Sequence, residues 1–473
     1  MIEINDYPAL SSVVKFFEEI SAVPRPSGHT REIADYLVRF AEERNLEYIR
    51  DSADNVIIKK NGASGKSGRP TVILQGHTDM VAVCAEGTER NLKTEGVEPY
   101  RDGDFIKAKG TTLGADDGVA VAYALAILDS NDIIHPNIEC LFTSNEEIGL
   151  LGASALDPKS LKGRIMINLD SDDEGVFTVG CAGGKRLDLS FRCLWEAAVG
   201  NCYYLCVSGL AGGHSGIEID KGHLNAIKIA GEVLSSFENV MLDDISGGEA
   251  DNAIPKSCSA RFYTTSSYEH LGRVAEKIQS GYSSEEPNIK IEIREAPGRS
   301  TALASKQVSD ILSVIEKARY GVIKMSNDVP GLVETSQNIG IIELSEERLR
   351  LTFSVRSSYE DSKNAIADET KMLGEQAGAQ IKESGNYPGW DYRKDSPIRE
   401  LSVKVFEEVY GKSPEIMLIH AGLECGVIID KIPELDCISF APDSKDIHTP
   451  RERLSISSTA RVYEFLKTLL GRI

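Results

Sequence analysis

With 473 residues, 52 basic and 73 acidic, the chain carries a formal charge of −21. So acidic a balance argues against a nucleic-acid partner, which would need a basic face. The length suits about two or three domains with a large core, and no apolar run is long enough to span a bilayer, so no membrane partner is expected.

The amino-terminal stretch MIEINDYPAL has neither a basic region nor an apolar core, and no signal peptide is expected. Residues 11–46 read as helices. Ser27 or Thr30 can cap one that carries Ile33, Leu37, Val38 and Phe40 at helical spacing. Residues 55–60 read as a strand. The stretch 61–70, NGASGKSGRP, contains Gly65-Lys66-Ser67, but Lys60 stands where a phosphate loop needs glycine, and a strand follows. A hairpin turn is expected there.

Val72, Ile73 and Leu74 form a short apolar run that suits a strand buried on both faces. It passes through Gln75-Gly76 to His77 and Asp79. Ligands of open α/β sheets bind outside the carboxyl ends of the strands. An imidazole and a carboxylate at this point are the ingredients of a metal ligand and its orienting partner. The segment GTTLGADDG then puts Asp116 and Asp117 at the start of the apolar helical run 119–128, where one acid would suffice as a cap. Two more buried strands, 138–143 and 164–168, run into Glu146-Glu147 and Asp170. Further strands are expected at 415–419 and 436–440, the second leading towards His448. Strands that end in acids or histidine, with helices between them, make a doubly wound α/β catalytic domain with a mixed sheet.

The region between these parts also alternates strands and helices, but its strand ends are not acidic. It reads as an inserted α+β lid domain of two split β-α-β units, with 385–397 as the return hinge. The expected division is 1–186, 187–387 and 388–473. The nine cysteines are odd in number and lack C-x-x-C spacing, so reduced thiols in the cytoplasm are expected.

His77, Asp79, Asp116, Asp117, Glu146, Glu147, Asp170 and His448 offer imidazole and carboxylate without thiolate, a donor set that suits zinc, manganese or cobalt. Five ligands sharing one carboxylate can hold two ions about 3.5–4 Å apart, and such a pair lowers the pKa of a shared water to about 7 and polarises a carbonyl. An unligated carboxylate is then needed as general base. Glu146 and Glu147, neighbours at a strand end, point differently, so one can bind metal while the other faces substrate. His29, His135, His223 and His270 read as structural or surface residues, and His420 is open to either reading.

The segments HTDM, GADDG, NEEIG, NLDS and IHTPRERL occur in this order, with RPSGH, GLAGGHSG, NAIP and HAGLEC elsewhere. Over essentially the whole chain they resemble the dinuclear metallopeptidases of the aminoacylase and carboxypeptidase superfamily, and within it the aminoacyl-histidine, cytosolic carnosinase-type dipeptidases. The resemblance implies two divalent ions, zinc first, with manganese or cobalt as alternatives. His77, Asp116 and Asp170 would hold one, and Asp116, Glu147 and His448 the other. Asp79 would orient His77. Glu146 would be the general base and then the acid that protonates the leaving amine. A cis peptide between Asp116 and Asp117 is implied as well.

In the inserted domain the resemblance gives His214, on a glycine-rich loop, to the tetrahedral oxyanion. Asn252, Arg356 and Gly422 would bind substrate, with the Arg356 fork on its terminal carboxylate. Glu249-Ala250-Asp251 stands where relatives often carry a basic residue, so substrate preference stays open. The implied function is that of a cytoplasmic metallo-dipeptidase, a hydrolase acting on Xaa-His dipeptides of the β-alanyl-histidine type through a metal-bridging water. The alternatives are another exopeptidase or an N-acyl amino acid deacylase of the same superfamily, or a non-catalytic peptide- or metal-binding relative. The partner is a small dipeptide, and the expected assembly is a homodimer, with a monomer as the alternative. If the lid is duplicated, its second half can mimic a partner's lid and His214 can act within its own chain.

Overall fold

A computed structural model describes residues 2–66, 68–327, 329 and 331–473, so Ser67 of the 61–70 turn lies outside the described residues. The chain forms two units, Met1–Gly180 with Tyr392–Leu418 and Leu423–Ile473, and Cys181–Asp391 with Ile419–Gly422. The sequence places the changeovers at 186/187 and 387/388, whereas the structure changes over at 180/181 and 391/392. The strand Gly183–Arg192 accounts for the first shift, because it pairs with Arg348–Ser357 and Gln380–Tyr387 of the second unit. An isolated bridge between Cys181 and Trp390 accounts for the second.

The first unit is built on an eight-stranded sheet in the order Glu47–Arg50, Val56–Lys60, Ile138–Thr143, Val72–His77, Ile165–Asn168, Asp436–Ser439, Val176–Cys181 and Glu415–Ile419. The strands 138–143, 72–77, 165–168 and 436–439 are parallel neighbours. Their carboxyl ends therefore open at one edge. Each residue of 72–77 and 138–143 is buried, as a strand covered on both faces should be. Helix Ala115–Asp129 has no polar face beyond its first turn, and its Val119–Leu128 stretch is buried on every side.

The expected hairpin at 61–70 is not one. Strands 56–60 and 72–77 both pair with 138–143, which lies between them. The apolar run 72–77 is buried by taking a central place, so the segment has to pass one strand. His448 also differs in setting. It lies on the loop between the paired strands Ser444–Lys445 and Arg453–Ser455 of a separate four-stranded sheet, not directly at the end of strand 436–439.

The second unit has an eleven-stranded sheet. Within it, 290–295, 201–208, 258–264 and 241–247 lie side by side in that order, with helices Ala226–Ser235 and Tyr268–Tyr282 in the same stretch of chain. The strands 380–387, 183–192, 348–357 and 333–344 repeat this order, with helices Ser305–Lys317 and Glu360–Gln376. Each set is a split β-α-β unit. The two join where Ser246 and Gly247 pair with Glu343 and Ile342. The copies are nested rather than consecutive, because the first strand of the second copy, 183–192, precedes the whole of the first. On 183–192 and 348–357 the side chains of Leu187, Leu189, Phe191, Leu349, Leu351, Phe353 and Val355 alternate into the core. Among the described residues no helix is long and apolar enough to cross a membrane.

Candidate active site

In the first unit the parallel strands deliver His77 and Asp79 after 72–77, Glu146 and Glu147 after 138–143, and Asp170 after 165–168. Helix 115–129 brings Asp116 and Asp117 in its first turn, through a cis peptide between them. His77, Asp116 and Asp170 offer ligand atoms that all lie within 4.8 Å of one another, and so do Asp116, Glu147 and His448. Asp116 belongs to both sets, and its two oxygens face different imidazoles. Oδ1 lies 2.9 Å from His77 Nε2 and Oδ2 lies 3.1 Å from His448 Nε2. His448 Nε2 is also 2.9 Å from Glu147 Oε1. Glu146 shares a third such set with His77 and Glu147.

Burial works against a proton on His77, but its bonds to Asp116 and Asp79 and the charge of Asp170 outweigh burial and raise its pKa well above the usual value. Burial alone would raise Asp116; the two histidines hold it below the ordinary carboxylate range instead. Burial pushes Glu146 up to about 8, with Glu424 and Glu147 adding to the shift against the opposing pull of His77. Asp170 and Asp117 are also raised, burial first and neighbouring acids after it. This is a buried excess of carboxylate around two imidazoles, with a shared acid at its centre. Hard oxygen and imidazole donors in that arrangement fit a pair of divalent cations.

The Asp79 carboxylate is fully buried. His77 Nδ1 lies 3.1 Å from the Asp79 main-chain carbonyl and 3.7 Å from its carboxylate. The carboxylate instead accepts the N–H of Glu146 at 2.9 Å and of Glu147 at 3.4 Å, with the Ser27 hydroxyl at 2.7 Å. Beneath the strand ends, Glu424 Oε2 accepts from Gln75 Nε2 at 2.6 Å and from Thr143 Oγ1 at 2.5 Å. Ser27, Gln75 and Glu424 are supports that no spacing rule picks out. The available signal is that Ser27 and Glu424 fall inside the RPSGH and HAGLEC segments.

The remaining expected residues lie in the second unit. His214 and Asn252 line one cavity with Glu218, His223 and Glu249. His214 Nδ1 accepts the N–H groups of Gly216 and Ile217 at 3.1 and 3.2 Å. That assigns the proton of the neutral ring to Nε2, which is left as a donor. Burial and the Arg356 guanidinium lower its pKa, which keeps the ring neutral. Arg356 is 8% exposed; Nη1 donates to the Tyr387 hydroxyl at 3.0 Å, and among the described residues Nε has no hydrogen-bond partner. Gly422 packs on the same tyrosine, where a Cβ would come within 2.6 Å of the ring. His420 joins this cluster, with Nε2 2.7 Å from Ser336 Oγ, and burial with Arg356 pushes it down to about 3.

A family model described as peptidase family M20/M25/M40 matches residues 73–472. The cytosol non-specific dipeptidase of Escherichia coli (strain K12) is 32% identical over 467 residues, 97% of this chain and 96% of that protein. The crystal structure of an aminoacylhistidine dipeptidase from Vibrio alginolyticus matches with a TM-score of 0.87 at 34% identity, covering 98% of this chain and 96% of that one. An aminopeptidase structure from Bacillus cereus matches with a TM-score of 0.58 at 17% identity over 97% of both chains, a likeness of fold alone.

Proposed function

Since the chain belongs to peptidase family M20/M25/M40, we propose that it is a cytoplasmic metallo-dipeptidase that hydrolyses Xaa-His dipeptides of the β-alanyl-histidine type. The observation that carries this reading is Asp116, whose two oxygens face His77 and His448 within two separate ligand triads. His77, Asp116 and Asp170 would hold one divalent cation, and Asp116, Glu147 and His448 the other, with zinc the first choice. When bound, the cations supply the positive charge that ionises the surrounding carboxyls, acidifies water and polarises the scissile carbonyl.

Glu146 takes one proton from the attacking water and returns it to the leaving amine nitrogen, so the protons balance over the cycle. Its place in a triad with His77 and Glu147 supports that role. Asp79 holds the Glu146 backbone by its N–H. His214 suits oxyanion stabilisation because Nε2–H is its free donor. Arg356 suits the substrate's terminal carboxylate, since among the described residues no acidic side chain reaches it at ion-pair distance. The names of the Escherichia coli and Vibrio alginolyticus relatives support a dipeptide substrate, and the second supports a carboxyl-terminal histidine. Among the described residues no disulfide joins any of the nine cysteines, which suits a reducing compartment.

The test is a panel of β-alanyl-histidine, Gly-Gly and N-acetyl amino acids on metal-stripped protein re-supplied with one metal at a time. Hydrolysis of β-alanyl-histidine that depends on added metal is expected. Cleavage confined to the N-acetyl amino acids would replace this reading with that of a deacylase.

A further inference from the structure

Helix 115–129 begins at Gly114, which has φ 69° and no side chain to cap the first turn. Another part of the chain does the capping. The Glu452 carboxylate, 3% exposed, accepts four consecutive main-chain N–H groups. Oε2 takes Leu113 at 2.7 Å and Gly114 at 2.9 Å, and Oε1 takes Ala115 at 2.7 Å and Asp116 at 3.3 Å. Those of Gly114, Ala115 and Asp116 are among the donors that a helix start leaves without intrahelical partners, and an anion is favoured there by the helix dipole.

From the other side, the buried Arg25 guanidinium donates to the Gly114 carbonyl through Nη2, and through Nη1 to the carbonyls of Thr78 at 3.0 Å and Asp79 at 3.4 Å. The fit leaves no slack, since a Cβ on Gly114 would lie 2.7 Å from Arg25 Nη2 and one on Gly118 2.6 Å. Residue 114 is thus gripped at its N–H by a carboxylate and at its C=O by a guanidinium. Neither side chain touches the catalytic carboxylates and imidazoles.

We propose that Glu452 is a positioning residue for the whole cation pair, and that Arg25 is its counterpart. Glu452 lies in the same loop as His448 and is bonded to the backbone N–H of Asp116. It therefore holds two ligands of one triad in register, and Asp116 is the ligand common to both triads. Arg25 ties the same turn to the main chain that follows His77. Loss of either grip displaces Asp116 relative to both imidazoles, so both cations should weaken together. Partners in this position typically change metal affinity by about 10- to 100-fold.

This inference rests on the two-cation reading, and binding measurements separate their failures. The affinities of both cations are measured by metal-buffered titration on full-length parent, Glu452→Gln, Glu452→Asp and Arg25→Lys, together with melting temperatures. The control is Glu139→Gln. Glu139 is another buried carboxylate of this unit that accepts main-chain N–H groups, from Lys162 and Gly163, but it sits near the start of strand 138–143. At least a tenfold loss for both cations is expected in Glu452→Gln, a smaller loss in Glu452→Asp and Arg25→Lys, and none in Glu139→Gln, even where the melting temperatures fall alike. If Glu452→Gln does not fold, Glu452→Asp, which keeps the charge, is read by the same criterion. Cation affinities within twofold of the parent in the folded variants would overturn the proposal. A parent that binds fewer than two cations would overturn the two-cation reading itself.

Discussion

Asp79 Oδ1 accepts the backbone N–H of Glu146 at 2.9 Å. The same carboxylate takes Ser27 and the N–H of Glu147, while His77 Nδ1 sits closer to the Asp79 main-chain carbonyl than to the carboxylate. The acid placed two residues after the first histidine therefore acts at least as much on the Glu146-Glu147 turn as on the imidazole. Its full burial makes each of these bonds costly to lose. Asp79→Asn keeps the shape but replaces one acceptor oxygen with a donor facing N–H groups. A fall in kcat of about 10- to 100-fold with KM little changed is expected, read from steady-state kinetics. A change confined to KM would place Asp79 in substrate binding instead.

In the proposed roles, Glu146 and His448 separate chemistry from metal holding. Glu146→Gln should keep both cations and lose about 10²- to 10⁴-fold in kcat, the usual contribution of a positioned base. His448→Ala should lose a cation as well as rate, since its Nε2 faces Asp116 and Glu147 in one triad only. Elemental analysis of the purified variants checks both. Full turnover in Glu146→Gln would remove it from the base role.

Arg356 is a buried guanidinium that donates to the Tyr387 hydroxyl, and among the described residues no acidic side chain reaches it at ion-pair distance. A charge-assisted bond to a carboxylate contributes about 1.5–3 kcal/mol. Arg356→Ala should therefore raise KM for β-alanyl-histidine by roughly 10- to 100-fold, while the carboxyl-amidated dipeptide, a poor substrate for the parent, should lose nothing further. An equal loss on both substrates would show that Arg356 supports the fold rather than the carboxylate.

His420 imposes a pH dependence on stability. Its folded-state pKa is pushed from 6.5 down to about 3 by burial and by Arg356. Below pH 6.5 the unfolded chain gains a proton that the folded chain refuses, so stability falls as pH falls through the window from 6.5 to about 3. Above that window the ring is neutral in both states and contributes nothing. The slope is about 1.4 kcal/mol per pH unit for one fully shifted group. Between pH ~7.5 and ~5 the urea midpoint of the parent should drop more than that of His420→Gln, which stays neutral and can still meet Ser336. Equal drops would mean that His420 takes up its proton in the folded protein.

What the sequence by itself determined are the elements whose period is local. The buried strand 72–77, the apolar helix after Asp116 and the acids that follow 138–143 and 165–168 are legible because burial on both faces and helical spacing repeat within a few residues. The proposed ligand set rests on those strand ends and on the resemblance of its motifs. Only the tertiary structure decided which strand lies beside which. The segment 61–70 looked like a hairpin because its turn chemistry is local, yet 138–143 intervenes. The lid's second copy begins at 183–192, before the first copy starts, and pairs with 348–357, a partner that no local pattern can name. Arg25 and Glu452 fall inside the RPSGH and IHTPRERL segments, but that membership names no partner for either. Their partners are main-chain groups on a distant turn, and the side-chain sequence does not identify a backbone N–H or C=O as a partner until the fold brings it within reach.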